Sequence, residues 1–221
     1  VKRFYKKIAE IFVRPVLLYY LRKDRYYSYE GTKVSVKKGV FHPGFFFSTK
    51  FFLGFLQKAN IANKTLLELG AGSGLISMMC AKRGAIVTAV DINPLAIESI
   101  RESAKLNNLK VEAYQSDLFT SVPKKTFDYI IINPPYYRRQ AKTIEQQAWF
   151  AGENFEYFVA LFSSIDPYFT EDSKVFICFS EDCEFDTIQE IARKHGYNMF
   201  FTYGKKIAWE YNVLFLIGRY R

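Results

Sequence analysis

The run FDYIIINPPYY (127–137) carries the residue types and spacing that point most directly to chemistry. A continuous apolar stretch ends at Asn133, and Pro134 and Pro135 restrict the backbone that follows. The Asn133 side-chain oxygen and the Pro134 carbonyl are thereby presented as two fixed acceptors, and Tyr136 adds a flat aromatic face. Two acceptors beside a stacking surface suit a planar –NH2 group, of the kind found on adenine, guanine, cytosine and the glutamine side chain. Accepting both N–H bonds would draw a delocalised nitrogen toward tetrahedral geometry. It would also stabilise positive charge developing there.

A second constellation lies upstream. ELGAGSG (68–74) follows an apolar run and opens a helical pattern, with Gly70, Gly72 and Gly74 at alternate positions. Glycines so spaced let a backbone turn tightly beneath a ligand. Asp91 comes twenty-one residues after Gly70, at the end of the next apolar run, where a carboxylate can accept both hydroxyls of a ribose. Two kinds of cofactor share this geometry. A dinucleotide favours G-x-G-x-x-G, but Leu75 occupies the last glycine position. S-adenosylmethionine has an ammonium, a sulfonium and a ribose but no phosphate, and it suits the acidic Glu68 better. Asp117 in SDLF (116–119) follows a third strand, within reach of an exocyclic amine of a bound adenine.

These residues need a frame. From residue 64 onward, strand and helix patterns alternate: strands at 65–69, 85–91, 111–115, 127–133 and 174–180, and helices at 74–82, 94–107, 153–166 and 184–195. The 153–166 helix shows Phe155, Phe158, Val159 and Phe162 on one face. Strands at 198–203 and 209–217, joined by GKKIAWE, predict an antiparallel hairpin at one edge. The class is α/β, a doubly wound and mostly parallel sheet. Ahead of it, apolar spacing predicts a helix over 3–22, broken at Pro15. Short strands follow at 25–29 and 33–37, then a helix capped near Ser48. The expected division is a basic extension at 1–40 and a main domain at 41–221.

Composition narrows the partners. Residues 1–40 hold eleven Lys or Arg against three acidic residues, and the rest of the chain is near neutral within a net charge of +9. Such a block suggests an anionic partner, with nucleic acid first. Three cysteines, Cys80, Cys178 and Cys183, argue against a disulfide framework and for a reducing, cytoplasmic setting. Their spacing, with only His42 and His195 as histidines, does not suit a metal site. No run is long and apolar enough to predict a membrane span. A start at Val1 rather than Met points to a few residues ahead of it.

Taken together, residues 39–221 resemble class I S-adenosylmethionine-dependent methyltransferases of the amino-N-methylating group. That group includes release-factor glutamine methyltransferases and RNA adenine and guanine amine methyltransferases. The resemblance rests on the loop from Glu68 to Gly74, on Asp91 and on Asn133 to Tyr136, in that order. It implies a Rossmann-like seven-stranded sheet with an antiparallel final strand, and a segment around Pro43 to Thr49 closing over the cofactor. Glu68, Gly70, Ala71, Gly72 and Gly74 are expected at the methionine end of the cofactor. Asp91 is expected on its ribose, Ile92, Asp117 and Leu118 at the adenine, and Asn133 against the cofactor as well as the acceptor. Asn133, Pro134 and Tyr136 are expected to hold the target amine.

An RNA base is the first expected substrate, with Pro135, Tyr137, Arg138, Arg139 and Lys142 lining the lip of the site. Trp149 and Phe150 are expected to pack in the core. The alternatives are a glutamine of a ribosomal or translation-factor protein, and a non-catalytic nucleic-acid-binding module.

Overall fold

A computed structural model describes residues 22–207 and 210–220. The helix expected over 3–22 lies outside the described residues except for its last position. One seven-stranded sheet carries the chain from residue 65 on. Its parallel strands are β3 (Thr65–Leu69), β4 (Ile86–Asp91), β5 (Val111–Gln115), β6 (Tyr129–Ile132) and β7 (Lys174–Ser180). An antiparallel pair, β8 (Tyr197–Ile207) and β9 (Glu210–Arg219), completes it in the order β5-β4-β3-β6-β7-β9-β8. The central strands β3, β6 and β7 are nearly continuous apolar runs because helices cover both of their faces. The edge strand β5 has polar positions at Glu112 and Gln115.

Helices α2 (Leu75–Lys82), α3 (Pro94–Leu106), α4 (Glu156–Ser164) and α5 (Phe185–Lys194) link the strands, and α1 (Phe47–Leu56) precedes β3. Two apolar clusters form, one on each face of the sheet. Asn93 caps α3 by accepting from the Leu95 N–H at 3.0 Å, and Pro94 starts its first turn. A separate hairpin, β1 (Arg25–Tyr29) with β2 (Thr32–Val36), lies on α3. Its backbone finds partners on that helix: Ser35 N–H donates to Ser103 Oγ at 2.9 Å and Lys37 N–H to Ser99 Oγ at 3.1 Å. Val34 and Val36 are buried in the same cluster as α3.

Three local expectations are corrected. Ser48 does not cap α1; Phe46 is the N-cap residue and no side chain bonds there. Val159 is exposed, and Leu161 takes its place beside Phe158 and Phe162. The reason is Phe155, which stands ahead of α4 with φ of 58° and so does not share the helical phase that would bury Val159. The hairpin loop is shorter than expected, because β8 runs through Lys205 and Lys206 to Ile207. Ladder hydrogen bonds extend a two-stranded ribbon without apolar side chains. Gly204 lies within it because a Cβ there would collide with the Tyr211 hydroxyl.

Candidate active site

The register sets the carboxyl ends of four neighbouring strands level. Leu69 pairs with Val90 and Ile132, and Asp91 with Gln115. Gly70, Asp91, Ser116 and Asn133 therefore stand along one edge of the sheet. From β5 to β6 this row crosses three inter-strand steps, roughly 14 Å. The chain order reverses between β3 and β6, the crevice where open α/β sheets bind ligands. A cleft of about 1060 Å³ opens there.

The glycine loop forms one half of the floor. Gly70, Gly72 and Gly74 have φ of 68°, 54° and 77°, the left-handed region where a side chain is strained. At Gly74 a Cβ would lie 2.8 Å from Ile100 Cγ1, so this glycine seats α2 against α3. At Gly70 a Cβ would meet no protein atom within 4 Å, and the residue lines the cleft. The loop is tied to β4 through Ala71 N–H to Val90 carbonyl at 3.0 Å and Gly72 N–H to Asp91 Oδ2 at 2.8 Å. Asp91 Oδ1 accepts the Asn93 N–H at 2.8 Å. Burial pushes the Asp91 carboxyl up, and these N–H bonds oppose the shift.

Glu68 is not in the cleft wall. It is buried behind the loop and accepts from the Ser77 N–H and hydroxyl. Burial raises its carboxyl to about 7. Ala71 and Gly74 also lie outside the lining, whereas Gly70, Gly72, Asp91, Ile92, Asp117 and Leu118 are in it. Leu118 turns through φ of 46°, where its carbonyl accepts from Ser116 Oγ at 2.8 Å.

Asn133, Pro134, Pro135 and Tyr136 line the other half. Asn133 Nδ2 donates to Ser48 Oγ at 3.2 Å. Among the described residues its Oδ1 has no donor, so the acceptor end is available to a ligand. The Tyr136 phenol faces the Ser180 side chain of β7, and burial pushes it up. The segment before α1 walls this half. Phe41 and Phe46 pack together at 4.4 Å and against Trp149 at 5.1 and 4.6 Å. Trp149 is thus part of the cleft and not of the core, and Phe150 is only half-buried. Both sit on an irregular segment after β6, where no helix or strand periodicity orients them.

The basic residues expected at the lip are elsewhere. Tyr137 lines the cleft; Arg138, Arg139 and Lys142 do not. Arg138 pairs with Glu184 at 3.5 Å and donates to the Glu153 carbonyl at 2.8 Å. Arg139 lies over the Phe150 ring at 5.2 Å. Among the described residues no Lys or Arg lines the cleft, but Asp91, Asp117, Glu145, Glu181, Asp182 and Glu210 do. Among the described residues a pyrophosphate would find the Asp91 carboxylate at the end of β4 and no lining cation. A ligand with a sulfonium and an ammonium would be favoured, so these residues fit S-adenosylmethionine better than a dinucleotide.

Sequence reasoning also missed Tyr157 of α4, half-buried in the cleft wall, its phenol pushed up by burial and by Asp91 and Asp117. A lone tyrosine inside an amphipathic helix carries no mark of such a place. Glu181 and Glu210 were missed because each reaches the cleft from a distant segment, whereas Ser48 and Phe45 to Phe47 of the lining belong to the 43–49 segment expected over the cofactor.

The methyltransferase small domain model matches residues 31–152. The chain belongs to that family. Within it, 108 residues are 43% identical to a protein of Methanocaldococcus jannaschii whose name assigns it, provisionally, as a protein N5-glutamine methyltransferase. The match covers 48% of this chain and 52% of that protein. Ribosomal RNA small subunit methyltransferase C of Haemophilus influenzae is 38% identical over 100 residues, 41% of this chain and 30% of that one. The chain spans about half or less of the length of these curated relatives.

Among solved structures, a T. thermophilus 16S rRNA N2 methyltransferase in complex with AdoMet and guanosine aligns with a TM-score of 0.63. It is 18% identical, over 90% of this chain and 50% of that one. An E. cuniculi complex responsible for methylating a translation termination factor aligns at 0.61 and 20% identity, over 83% and 99%. At these identities the likeness concerns the fold, a Rossmann-like mixed sheet.

Proposed function

We propose that the chain transfers a methyl group from S-adenosylmethionine to a planar primary nitrogen, and that the acceptor is a glutamine side chain in a protein. The transfer reading is carried by the Asn133 amide, whose –NH2 is engaged by Ser48 while its oxygen is left for a ligand. Bound along the glycine loop, the cofactor would supply an electrophilic methyl on a sulfonium. The chain's own residues do the rest. Asp91 and Asp117 would hold ribose and adenine, with Tyr157 and Ile92 as walls. Asn133 Oδ1 and the Pro134 carbonyl would accept the two N–H bonds of the acceptor and stabilise its developing charge. Tyr136, beside Ser180, would fix the plane of the amide.

The charge of the cleft supports a protein acceptor over RNA. A flipped base would bring its phosphates toward Glu145, in a lining that holds no Lys or Arg among the described residues. A polypeptide has no such charge, and basic residues flanking a glutamine would be attracted. The aromatic wall of Phe41, Phe46 and Trp149 favours the second reading, a nucleobase amine, because it can stack on a base.

The test is transfer from methyl-labelled S-adenosylmethionine into an extract of cells lacking the protein, treated afterwards with ribonuclease or protease. Label released by protease and recovered as N-methylglutamine is the expected result. Label lost only to ribonuclease replaces glutamine with a nucleobase. Cofactor binding without label in any fraction overturns the transfer reading.

A further inference from the structure

We propose that two copies of the chain pair through the open edge of β8, joining their sheets across a two-fold axis. The sheet has two edge strands, and they differ. The β5 edge is five residues long and carries Glu112 and Gln115. β8 runs for eleven residues and, among the described residues, bonds a strand on one side only, β9. Its Phe200 and Phe201 are 50% and 64% exposed, and Phe201 is the most exposed large apolar side chain among the described residues. An antiparallel strand turns alternate backbone N–H and C=O groups away from its neighbour, so β8 presents a row of them beside two exposed rings. Such an edge is a template for another strand.

A groove between α5 and β8 indicates what the second strand must carry. Its floor is aromatic: Phe185 stacks on Phe215 at 4.3 Å, and Phe201 meets Phe215 edge-on at 6.3 Å. Gln189 in its wall is 6% exposed; its –NH2 donates to Asn198, and its Oε1 has no partner. Asp186 and Glu190 also line it, against one cation, Arg193. The occupant should therefore bring apolar surface and positive charge, and β8 itself supplies both. Lys205 and Lys206 are exposed at its far end. Among the described residues neither these lysines nor Asp186 and Glu190 are in an ion pair. In an antiparallel pairing centred on Phe201 and Thr202, the lysine end of one strand falls beside Tyr197 and Asn198 of the other, at the groove with its carboxylates. The two-fold repeats that match at both ends, with Phe200 and Phe201 of each copy between them. Lysines and bulges commonly blunt an edge, and β8 has a bulge between Phe201 and Tyr203. The stretch from Tyr197 to Phe201 nevertheless carries no charge, and the lysines meet carboxylates of the same surface.

The experiment uses the full chain. Sedimentation equilibrium at about 100 μM should give the mass of two copies, falling toward one copy near about 1 μM. Two charge-reversed variants separate this edge from any other surface. One carries Lys205→Glu and Lys206→Glu, the other Asp186→Lys and Glu190→Lys. Each alone sets like charges together and should sediment as one copy at the higher concentration. Mixed in equal amounts they are complementary at both ends, and the mass of two copies should return.

A second readout needs no substitution. In the wild-type protein the backbone amides of Tyr197 to Phe201 should exchange with solvent at least about threefold more slowly at the higher concentration. A one-copy mass for wild type at that concentration overturns the proposal. So does a two-copy mass for either variant alone, or a mixture that stays at one copy. Should a variant unfold, the exchange measurement decides, and rates unchanged between the two concentrations overturn the pairing.

Discussion

The two halves of the cleft are built by different means. In the cofactor half, main chain meets neighbouring main chain. The glycine loop is tied to the end of β4 through the Ala71 and Gly72 N–H groups, and Asp91 reaches only as far as Gly72 and Asn93. In the half proposed for the acceptor, side chains arrive from far apart: Ser48 on Asn133, Ser180 beside Tyr136, Phe41 and Phe46 on Trp149. A backbone-made site tolerates little change at its glycines. A side-chain-made site can change acceptor by changing a few residues, while the fold and the cofactor half stay as they are.

The largest expected effect separates the halves. Asn133→Ala should lower transfer by about 100- to 1000-fold, the scale of one oriented charge-stabilising group. Cofactor affinity by calorimetry should hold within a few-fold. A parallel loss of affinity would show that the halves are not independent. Asp91→Ala should do the reverse, weakening cofactor affinity by about 10- to 100-fold through loss of charge-assisted bonds.

Two glycine substitutions sharpen the contrast within one loop. Gly74→Ala forces a Cβ against Ile100 and should lower stability by about 1–3 kcal/mol in a denaturant titration. Gly70→Ala meets open space and should cost about 1 kcal/mol of stability, with most of its effect on cofactor affinity. Equal stability losses would mean that Gly70 serves only the turn.

A smaller effect depends on pH. The folded-state carboxyl of Glu68 is raised from 4.5 to about 7, so the native chain binds its proton more tightly than the unfolded chain. Between these values the native state holds more protons, and stability falls as pH rises, by an amount on the order of 3 kcal/mol, levelling off above about 7. Glu68→Gln removes that slope. The melting temperature of the variant relative to wild type should climb between pH 5 and pH 8, and a constant difference would assign the slope to other groups. The smallest effect concerns the basic residues outside the cleft. Lys142→Ala should change transfer into untreated extract by less than about twofold, while a large loss confined to the ribonuclease-sensitive label would return RNA phosphates to this surface.

How much was legible follows the same division. The parallel strands could be read because an apolar run of five or six residues between helical periods has few other uses, and the seven-stranded sheet with its antiparallel end followed. Asp91, Asn133 and the glycine loop could be read because their chemistry is local: a turn, a strand end, a rigid dipeptide. Arg138, Arg139 and Lys142 stand outside the cleft lining, because proximity in sequence to Tyr136 does not say which way a loop turns, and an ion pair with Glu184 and a ring contact with Phe150 engage two of them. Trp149 misled in the opposite sense, since its apolar surface is satisfied by Phe41 and Phe46 at the cleft and not by the sheet.

The sequence by itself therefore determined the order of the sheet's elements, the left-handed glycine turn, and the strand ends that carry Asp91 and Asn133. Each depends on local backbone preference or on a periodicity of apolar residues, and both are written in neighbouring positions. Only the tertiary structure decided what stands behind the Asn133 amide, which aromatic residues wall the cleft, and that, among the described residues, carboxylates rather than lysines and arginines line it. Those features depend on where α1, β7 and β9 arrive relative to β6, and that is set by packing across the whole sheet, where residues 32 to 85 positions apart become neighbours.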